Sequence, residues 1–489
     1  RQRQMCIRDR IYWEMKTDSK MNQKKYIAGI DIGTTKIVAI VGSENQYGKL
    51  EILGYGKAKS QGISRGMVGN IGKTIDSIKQ AVDLAQAKAG VVISEAYVGI
   101  AGQHIKSNEA SDYITRENAD EMISSEDLDA LCHCVMSSKN RYPGEEVIHI
   151  LPQEYKVDNQ EDIHDPVGMV GARLEGTFHI VTGQVAPIKN IQRCVTKSGI
   201  ELKGLTLEPI ASSASVLSEA EKDAGVALVD IGGGTTDLAI FKEGYIRYTA
   251  VVPFGGNIID KDIKEGCGVF DKQAEMLKIK FGSALPEYTK ENEVINIQVF
   301  KGREPQEIQV TNLARIIRCR MEEIIEAVFN EIKNYGYDQP RKKLIAGIVL
   351  TGGGSELKDL PQLVEYITGL PTRIGHPNEH LANNTPPELS SPIYATAIGL
   401  LLDGIEREQN EGQRIDFSHL KDTPQPEVHS HQEPAPLSTP EVAAPVAIEP
   451  TPVVTPKKEE EEEEIVKPEK KTILKTISDK FTDFFKSMD

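Results

Sequence analysis

The stretch VALVDIGGGTTDLAI, Val226–Ile240, decides how this chain is read. An apolar run leads into Asp230, three glycines follow, and then come Thr235, Thr236, Asp237 and a second apolar run. The β-branched residues on both sides predict two strands, and the glycines between them predict a tight turn. Gly232, Gly233 and Gly234 lack a Cβ, so their backbone N–H groups are free to wrap a phosphate. Asp230, at the strand end, is placed to hold a magnesium ion, which keeps most of its waters and takes few carboxylates. A plain hairpin with a glycine turn is the competing reading of this segment taken alone.

A second copy separates the two readings. Residues 26–40, YIAGIDIGTTKIVAI, repeat the pattern of strand, Asp-Ile-Gly, Gly/Thr turn and strand. Asp31 matches Asp230, Gly33 falls among the later glycines, and Thr34 and Thr35 match Thr235 and Thr236. Two such units predict a duplicated fold whose two lobes face one nucleotide. A third glycine turn, Gly352-Gly353-Gly354-Ser355, follows an apolar strand-like run at 345–351.

The chain of 489 residues has room for two or more domains. Its hydrophobic share of 39% is low for a wholly globular chain, which predicts a folded body with some solvated sequence. A formal charge of -16 argues against general nucleic-acid binding. The six cysteines are scattered, and Cys132-His133-Cys134 has no second pair at zinc-site spacing, so a reduced cytoplasmic protein is expected. No apolar run is long enough to span a membrane, and no signal peptide is visible. Residues 1–20 are charged and aperiodic and hold the sole tryptophan; they read as an extension foreign to the fold, with Met21 the expected start.

Between the glycine turns, strands are expected at 51–59, 96–101, 202–207 and 245–252, and helices at 71–89, 187–197, 209–220, 258–264 and 272–280. A long amphipathic helix is expected at 311–335 and a small-residue helix at 394–402. Residues 103–182 read as a separate α+β unit, with a helix capped by Ser124 or Ser125 and strands at 147–157 and 175–182. Glu208 sits at a strand-to-helix corner, with Pro209 in the first turn of the helix that follows.

The ordered set GIDIGTTK, VDIGGGTTDLA, PFGGNIIDKDI, AEMLKIKFG and LTGGGSEL, with EP-x-A-S at 208–212, resembles the actin-like ATPase superfamily. Within it the chain is most similar to the FtsA family of bacterial division proteins. The resemblance implies an α/β fold: a two-lobed actin-like ATPase, itself a duplicated ribonuclease-H-like fold, with a small α+β subdomain inserted. It implies a first lobe at 21–102 and 183–225, the insertion at 103–182, a second lobe at 226–256 and 347–405, and an outer subdomain at 257–346. The cofactors it implies are ATP and Mg²⁺. Asp31, Gly33, Thr34, Thr35 and Lys36 would form the first phosphate loop, and Gly232, Gly233, Gly234, Thr235 and Thr236 the second, joined by Asp237. Asp31 and Asp230 would face the magnesium. Gly255 and Gly256 would approach the nucleotide, Glu275 and Lys278 would border ribose and adenine, and Gly352, Gly353, Gly354 and Ser355 would form the adenosine loop. Glu208 would lie near the attacking water; the alternative is a carboxylate favoured by the helix dipole alone. Lys36 could equally be a solvated lysine. ATP binding is better supported than turnover.

The same resemblance implies self-assembly into filaments, binding of the FtsZ C-terminal tail by residues 257–346, and recruitment of later division proteins. Arg315, Arg318 and Arg320 could meet an acidic peptide, but an ordinary solvated face is the favoured reading. Residues 406–470 form an acidic, proline-rich linker: 421–470 hold 10 of the 25 prolines, and Glu459–Glu464 are consecutive. Such a segment cannot repay the entropy of ordering and is expected to be disordered, a tether of roughly 45 Å on average. Residues 471–489 return to helical periodicity. Ile473, Leu474, Ile477, Phe481, Phe484, Phe485 and Met488 fall on one face, which predicts a helix lying in a membrane interface or docking in a partner's groove. The family's C-terminal membrane-targeting helix favours membrane lipid, and with it the cytoplasmic face of the membrane at the division site. The runner-up is PilM, a pilus-assembly relative with a similar insertion. A DnaK-type chaperone would need a further β-sandwich domain, and a sugar kinase would need a sugar pocket and a catalytic base.

Overall fold

The computed structural model describes residues 26–409, apart from 139–143, 291, 301 and 303. The expected extension at 1–20, the linker beyond 409 and the membrane-helix residues Ile473 to Met488 lie outside the described residues.

The chain opens with β1 (Ile27–Ile32), β2 (Lys36–Glu44) and β3 (Leu50–Lys59), then a short hairpin of β4 (Ile63–Ser64) and β5 (Met67–Val68), α1 (Ile71–Ala89) and β6 (Glu95–Ile100). The insertion holds β7 (Ile105–Thr115), α2 (Ser125–Ser138), β8 (Glu145–Val157), β9 (Gln160–Ile163) and β10 (Arg173–Gln184). The chain returns through α3 (Val185–Lys197) and β11 (Glu201–Leu207) to α4 (Glu208–Val216) and α5 (Glu219–Ala224). The second half runs β12 (Val226–Ile231), β13 (Thr236–Lys242), β14 (Tyr245–Val252), α6 (Gly256–Cys267), α7 (Asp271–Phe281), β15 (Val294–Ile297), β16 (Gln306–Gln309) and α8 (Val310–Tyr335). It ends with β17 (Gly347–Thr351), α9 (Leu360–Thr368), β18 (Thr372–Ile374) and α10 (Ala395–Gln409).

The duplication is explicit in the sheets. One has the order β3-β2-β1-β6-β11 and the other β14-β13-β12-β17-β18. In each, the central strand pairs antiparallel with the next strand through a glycine turn and parallel with a strand reached by crossover. β1 and β12 are buried along their whole length, which is why both read as unbroken apolar runs. The inserted sheet, β7-β10-β8-β9, has its own core around Leu131, Leu174 and Phe178.

Local chemistry accounts for the element ends. Asn70 caps α1 by accepting from the Lys73 N–H, and Gly90 closes it at φ 69°. Gly56 lets α1 lie close on β3, since a Cβ there would sit 1.9 Å from the Ala81 carbonyl oxygen. The single helix expected at 209–220 is two helices. Leu217 leaves helical geometry, and Ser218 starts α5 with a reciprocal capping box to Glu221.

The helices between the sheets cross over from the halves that supply them. Residues 395–405 were expected in the second lobe, yet Ala397, Ile398 and Leu401 of α10 pack on Ile27, Val38 and Ile40 of the first sheet. Conversely, Val216 at the end of α4 packs with Val226, Leu228 and Val349 of the second. Where the two helices meet, Gly399 allows backbone contact: a Cβ there would lie 1.8 Å from the Ala211 carbonyl oxygen. This is the close packing that the small residues of 394–402 predict.

Candidate nucleotide cleft

The two glycine turns, 33–35 and 232–235, join β1 to β2 and β12 to β13 and meet face to face. A Cβ on Gly233 would fall 1.9 Å from Thr35 Oγ1, and one on Gly234 would fall 2.6 Å from Thr34 Oγ1. Thr35 Oγ1 donates to Asn257 Oδ1 at 3.3 Å. The PFGG segment braces the second turn from behind, with the Gly256 N–H on the Gly232 oxygen at 2.9 Å and the Asn257 N–H on the Gly233 oxygen at 2.8 Å. Such an approach needs glycine, because a Cβ on Gly255 would lie 2.5 Å from the Gly232 oxygen.

Between the lobes lies a cavity of about 1060 Å³. Asp31, Gly33, Thr34, Thr35 and Lys36 line it from the first lobe; Asp230, Gly232, Gly233, Gly234, Thr235, Asp237 and Gly256 line it from the second. Glu208 opens onto it from the start of α4, Glu275 and Lys278 from α7, and Gly352, Gly353 and Gly354 from the third turn. Gly352 holds φ 78°, a left-handed conformation suited to glycine. Three residues expected at the site stand behind it, not on the cavity wall. Thr236 is fully buried and donates to the Phe254 oxygen, Ser355 donates to the Gly352 oxygen at 2.7 Å, and Gly255 supports the second turn. Their hydroxyls and backbone close loop ends, a task the sequence motif does not separate from ligand contact.

The cavity floor is acidic. Asp31, Asp230 and Asp237 are buried, and Glu208 is half-buried toward the opening. Burial pushes Asp31 up to about 6, with Lys36 opposing and Asp230 reinforcing the shift. Burial, then Asp230, pushes Asp237 up to about 7 against the Thr235 hydroxyl. Burial, then Asp31, Asp237 and Asp230, raise Glu208 well above its ordinary value, with Lys36 opposing. Burial also raises Asp230, opposed first by the Ser212 hydroxyl at 2.9 Å. Asp237 Oδ1 is buried with no hydrogen-bond partner among the described residues. Among the described residues no three carboxylates group closely enough to cage a metal ion; a floor of this kind would take only a cation that keeps most of its waters, and the glycine turns present N–H groups beside it. Lys278 is already engaged, donating to Asp260 at 2.8 Å and to the Gly256 oxygen at 2.9 Å.

Two family models match the chain: "Cell division protein FtsA" over residues 227–399, and "SHS2 domain inserted in FTSA" over residues 102–182. The chain is 39% identical over 395 residues to the cell division protein FtsA of Pseudomonas aeruginosa, covering 81% of this chain and 92% of that one. The chain belongs to the FtsA family. It is a cell division protein with an actin-like, two-lobed fold. FtsA of Escherichia coli is 33% identical over 395 residues, covering 80% of this chain and 93% of that protein. A solved PilM–PilN type IV pilus biogenesis complex superposes with a TM-score of 0.58 at 15% identity, covering 78% of this chain and 99% of that one. That likeness is one of fold, so the pilus-assembly alternative gives way to the FtsA family.

Several residues of this FtsA-family cleft escape a reading of the sequence. Lys57 and Lys59 line the cavity from β3, and Asn257, Lys280 and Glu356 line it from the second lobe. Lys59 arrives there because the β2–β3 register sets it opposite Lys36. Asn257 had a signal, since it follows PFGG directly; Lys57 had none. The arginines of α8 are engaged locally: Arg318 with Glu322 and Glu287, Arg320 with Asp262 and Glu323, and Arg315 with Asn312.

Proposed function

We propose that this FtsA-family chain binds ATP with Mg²⁺ in the cleft and assembles with copies of itself at the inner face of the cytoplasmic membrane. There it takes the FtsZ C-terminal tail on residues 257–346, anchors the division ring through residues 471–489, and helps recruit later division proteins. The observation that carries the nucleotide reading is the pair of matched turns meeting across one cavity above four crowded carboxylates. The Gly232 N–H closes its own turn on the Thr235 oxygen at 3.0 Å, so the N–H groups of residues 33–35 and 233–235 hold phosphate oxygens; Gly352 to Gly354 give close access to the adenosine, and Glu275 borders it. Bound Mg²⁺ supplies the charge that offsets Asp31 and Asp230 and polarises the phosphoryl oxygens. Glu208 orients water in the cleft. Phosphoryl transfer of this kind relies on positioning and electrostatics more than on a strong base.

The anchor reading rests on the seven apolar residues from Ile473 to Met488. Each contributes up to about 1.5–3 kcal/mol when fully buried and less at an interface, a reversible single anchor that a filament multiplies by avidity. Lys471, Lys475, Lys480 and Lys486 are offset by Asp479, Asp483 and Asp489, so binding is mainly hydrophobic. The test uses the full chain with lipid vesicles, Mg·ATP and the FtsZ C-terminal peptide. Cosedimentation with vesicles and saturable peptide binding are expected. Cosedimentation that survives Phe481→Glu with Phe484→Glu contradicts the anchor, and absence of peptide binding contradicts the FtsZ assignment.

A further inference from the structure

The inserted subdomain reaches the cleft carboxylates from behind. β11 is an edge strand of the first sheet, and its last residue, Leu207, is 2% exposed and stands immediately before Glu208. Leu207 occupies the N-cap of α4 without a side-chain cap of its own, so the geometry of this corner depends on what its backbone bonds to. The Leu207 N–H donates to Nε2 of His149, on β8 of the inserted subdomain, at 2.9 Å. That Nε2 is therefore the unprotonated nitrogen of the ring. On the other side of Glu208, a Cβ on Gly99 would lie 3.1 Å from Glu208 Cγ, so the carboxylate stem has little room to shift.

The same subdomain holds the strand behind Asp237. β14 is the edge of the second sheet, and its outward carbonyls are capped by inserted side chains. Ser107 Oγ donates to the Thr249 oxygen at 3.1 Å, and Gln153 Nε2 donates to the Ile246 oxygen at 3.1 Å. His179 Nε2 meets Thr249 Oγ1 at 3.2 Å. β14 pairs with β13 in a register that sets Val251 opposite Asp237. Thus β7, β8 and β10 cover an otherwise open sheet edge, and the covered strand carries the partner of a cleft carboxylate.

We infer that the inserted subdomain is a positioning element for the cleft, with His149 fixing the corner that aims Glu208 and the Ser107–Gln153–His179 contacts fixing the strand behind Asp237. The inference rests on the nucleotide reading for its chemistry, but not for its geometry. His149 touches neither the cavity nor a phosphate turn, and it acts through Leu207. A substitution there shifts Glu208 while leaving the turns that hold the nucleotide intact.

The test compares the full-length wild type with His149→Ala and His149→Gln; the Gln amide oxygen reaches about as far as Nε2 and can accept the same bond. Three readouts are taken: amide exchange across residues 207–212, ATP affinity with Mg²⁺, and single-turnover ATP hydrolysis, alongside thermal melting. His149→Ala is expected to speed exchange at Leu207 and slow hydrolysis, each by roughly tenfold, with ATP affinity changed less than about threefold. His149→Gln is expected to recover most of both. Equal behaviour of the Ala and Gln variants, or unchanged exchange at Leu207, overturns the inference. If the wild type binds ATP without hydrolysing it, the exchange comparison alone decides the matter. A wild type that binds no ATP refutes the nucleotide reading, while exchange still reports on the positioning.

Discussion

Replacing Gly233 with alanine probes the contact between the two phosphate turns. The new Cβ would sit 1.9 Å from Thr35 Oγ1, 3.1 Å from Thr35 Cβ and 3.2 Å from Asn257 Oδ1. Threonine cannot step aside cheaply. Placing its methyl in the hydroxyl's position keeps the clash, and turning Hβ toward the alanine gives up the bond to Asn257 and still leaves the 3.1 Å contact. Overpacking of this kind costs about 1–3 kcal/mol. Here the cost falls on the closed arrangement of the lobes and not on either core, because both atoms belong to turns on opposite sides of the cleft. It should therefore appear as a weaker ATP dissociation constant, by roughly 5- to 150-fold, with little change in thermal midpoint. Titration with a fluorescent ATP analogue and a melting curve measure the two quantities. In a Thr35→Gly background, which removes both clashing atoms, Gly233→Ala should cost less by about 1 kcal/mol or more. Affinity within twofold of wild type, or the same loss in both backgrounds, refutes the reasoning.

Other consequences are read more simply. Gly399→Ala places a Cβ 1.8 Å from the Ala211 oxygen and 2.3 Å from its carbonyl carbon; backbone cannot rotate away, so a loss of about 3 kcal/mol and a thermal midpoint lower by several degrees are expected. His104 is buried, neither ring nitrogen has a hydrogen-bond partner among the described residues, and burial pushes its pKa from 6.5 down to about 4. Between those values the unfolded chain binds the extra proton, so this residue's contribution to stability is intact above pH 6.5 and is lost as pH falls toward 4. His104→Leu should thus gain about 2 kcal/mol relative to wild type on going from pH 7.5 to pH 5, measured by denaturant titration. Phe481→Glu with Phe484→Glu should abolish vesicle cosedimentation while leaving ATP binding intact.

The parts of this fold that were legible in the sequence are those whose physics is local. The β1 and β12 hairpins declared themselves because full burial makes an unbroken apolar run and the turn between strands demands glycine. α1 spans the expected 71–89 because its apolar residues recur at helical spacing, and the structure adds Asn70 and Gly90 as its caps. β7 was missed: its 11 residues, IKSNEASDYIT, form the edge strand of the inserted sheet with only Ala110 buried, so no apolar alternation betrays them. β18 has three residues and owes its existence to pairing with β17. The break at Leu217 was readable in principle, because Ser218 and Glu221 carry the spacing of a capping box. At the site, the turns announced themselves through motif. Lys57, Lys59 and His149 did not, because strand register and the docking of the insertion bring them there. The packing of α10 on the first sheet is hidden for a similar reason: an apolar helix face does not say which neighbour it will cover.

The most direct test is the structure of the full chain with Mg²⁺ and a non-hydrolysable ATP analogue. The phosphates are expected between residues 33–36 and 232–235, the metal beside Asp31 and Asp230, and the adenosine between α7 and Gly352–Gly354. A nucleotide bound elsewhere, or a cleft that excludes it at saturating concentration, would contradict that account.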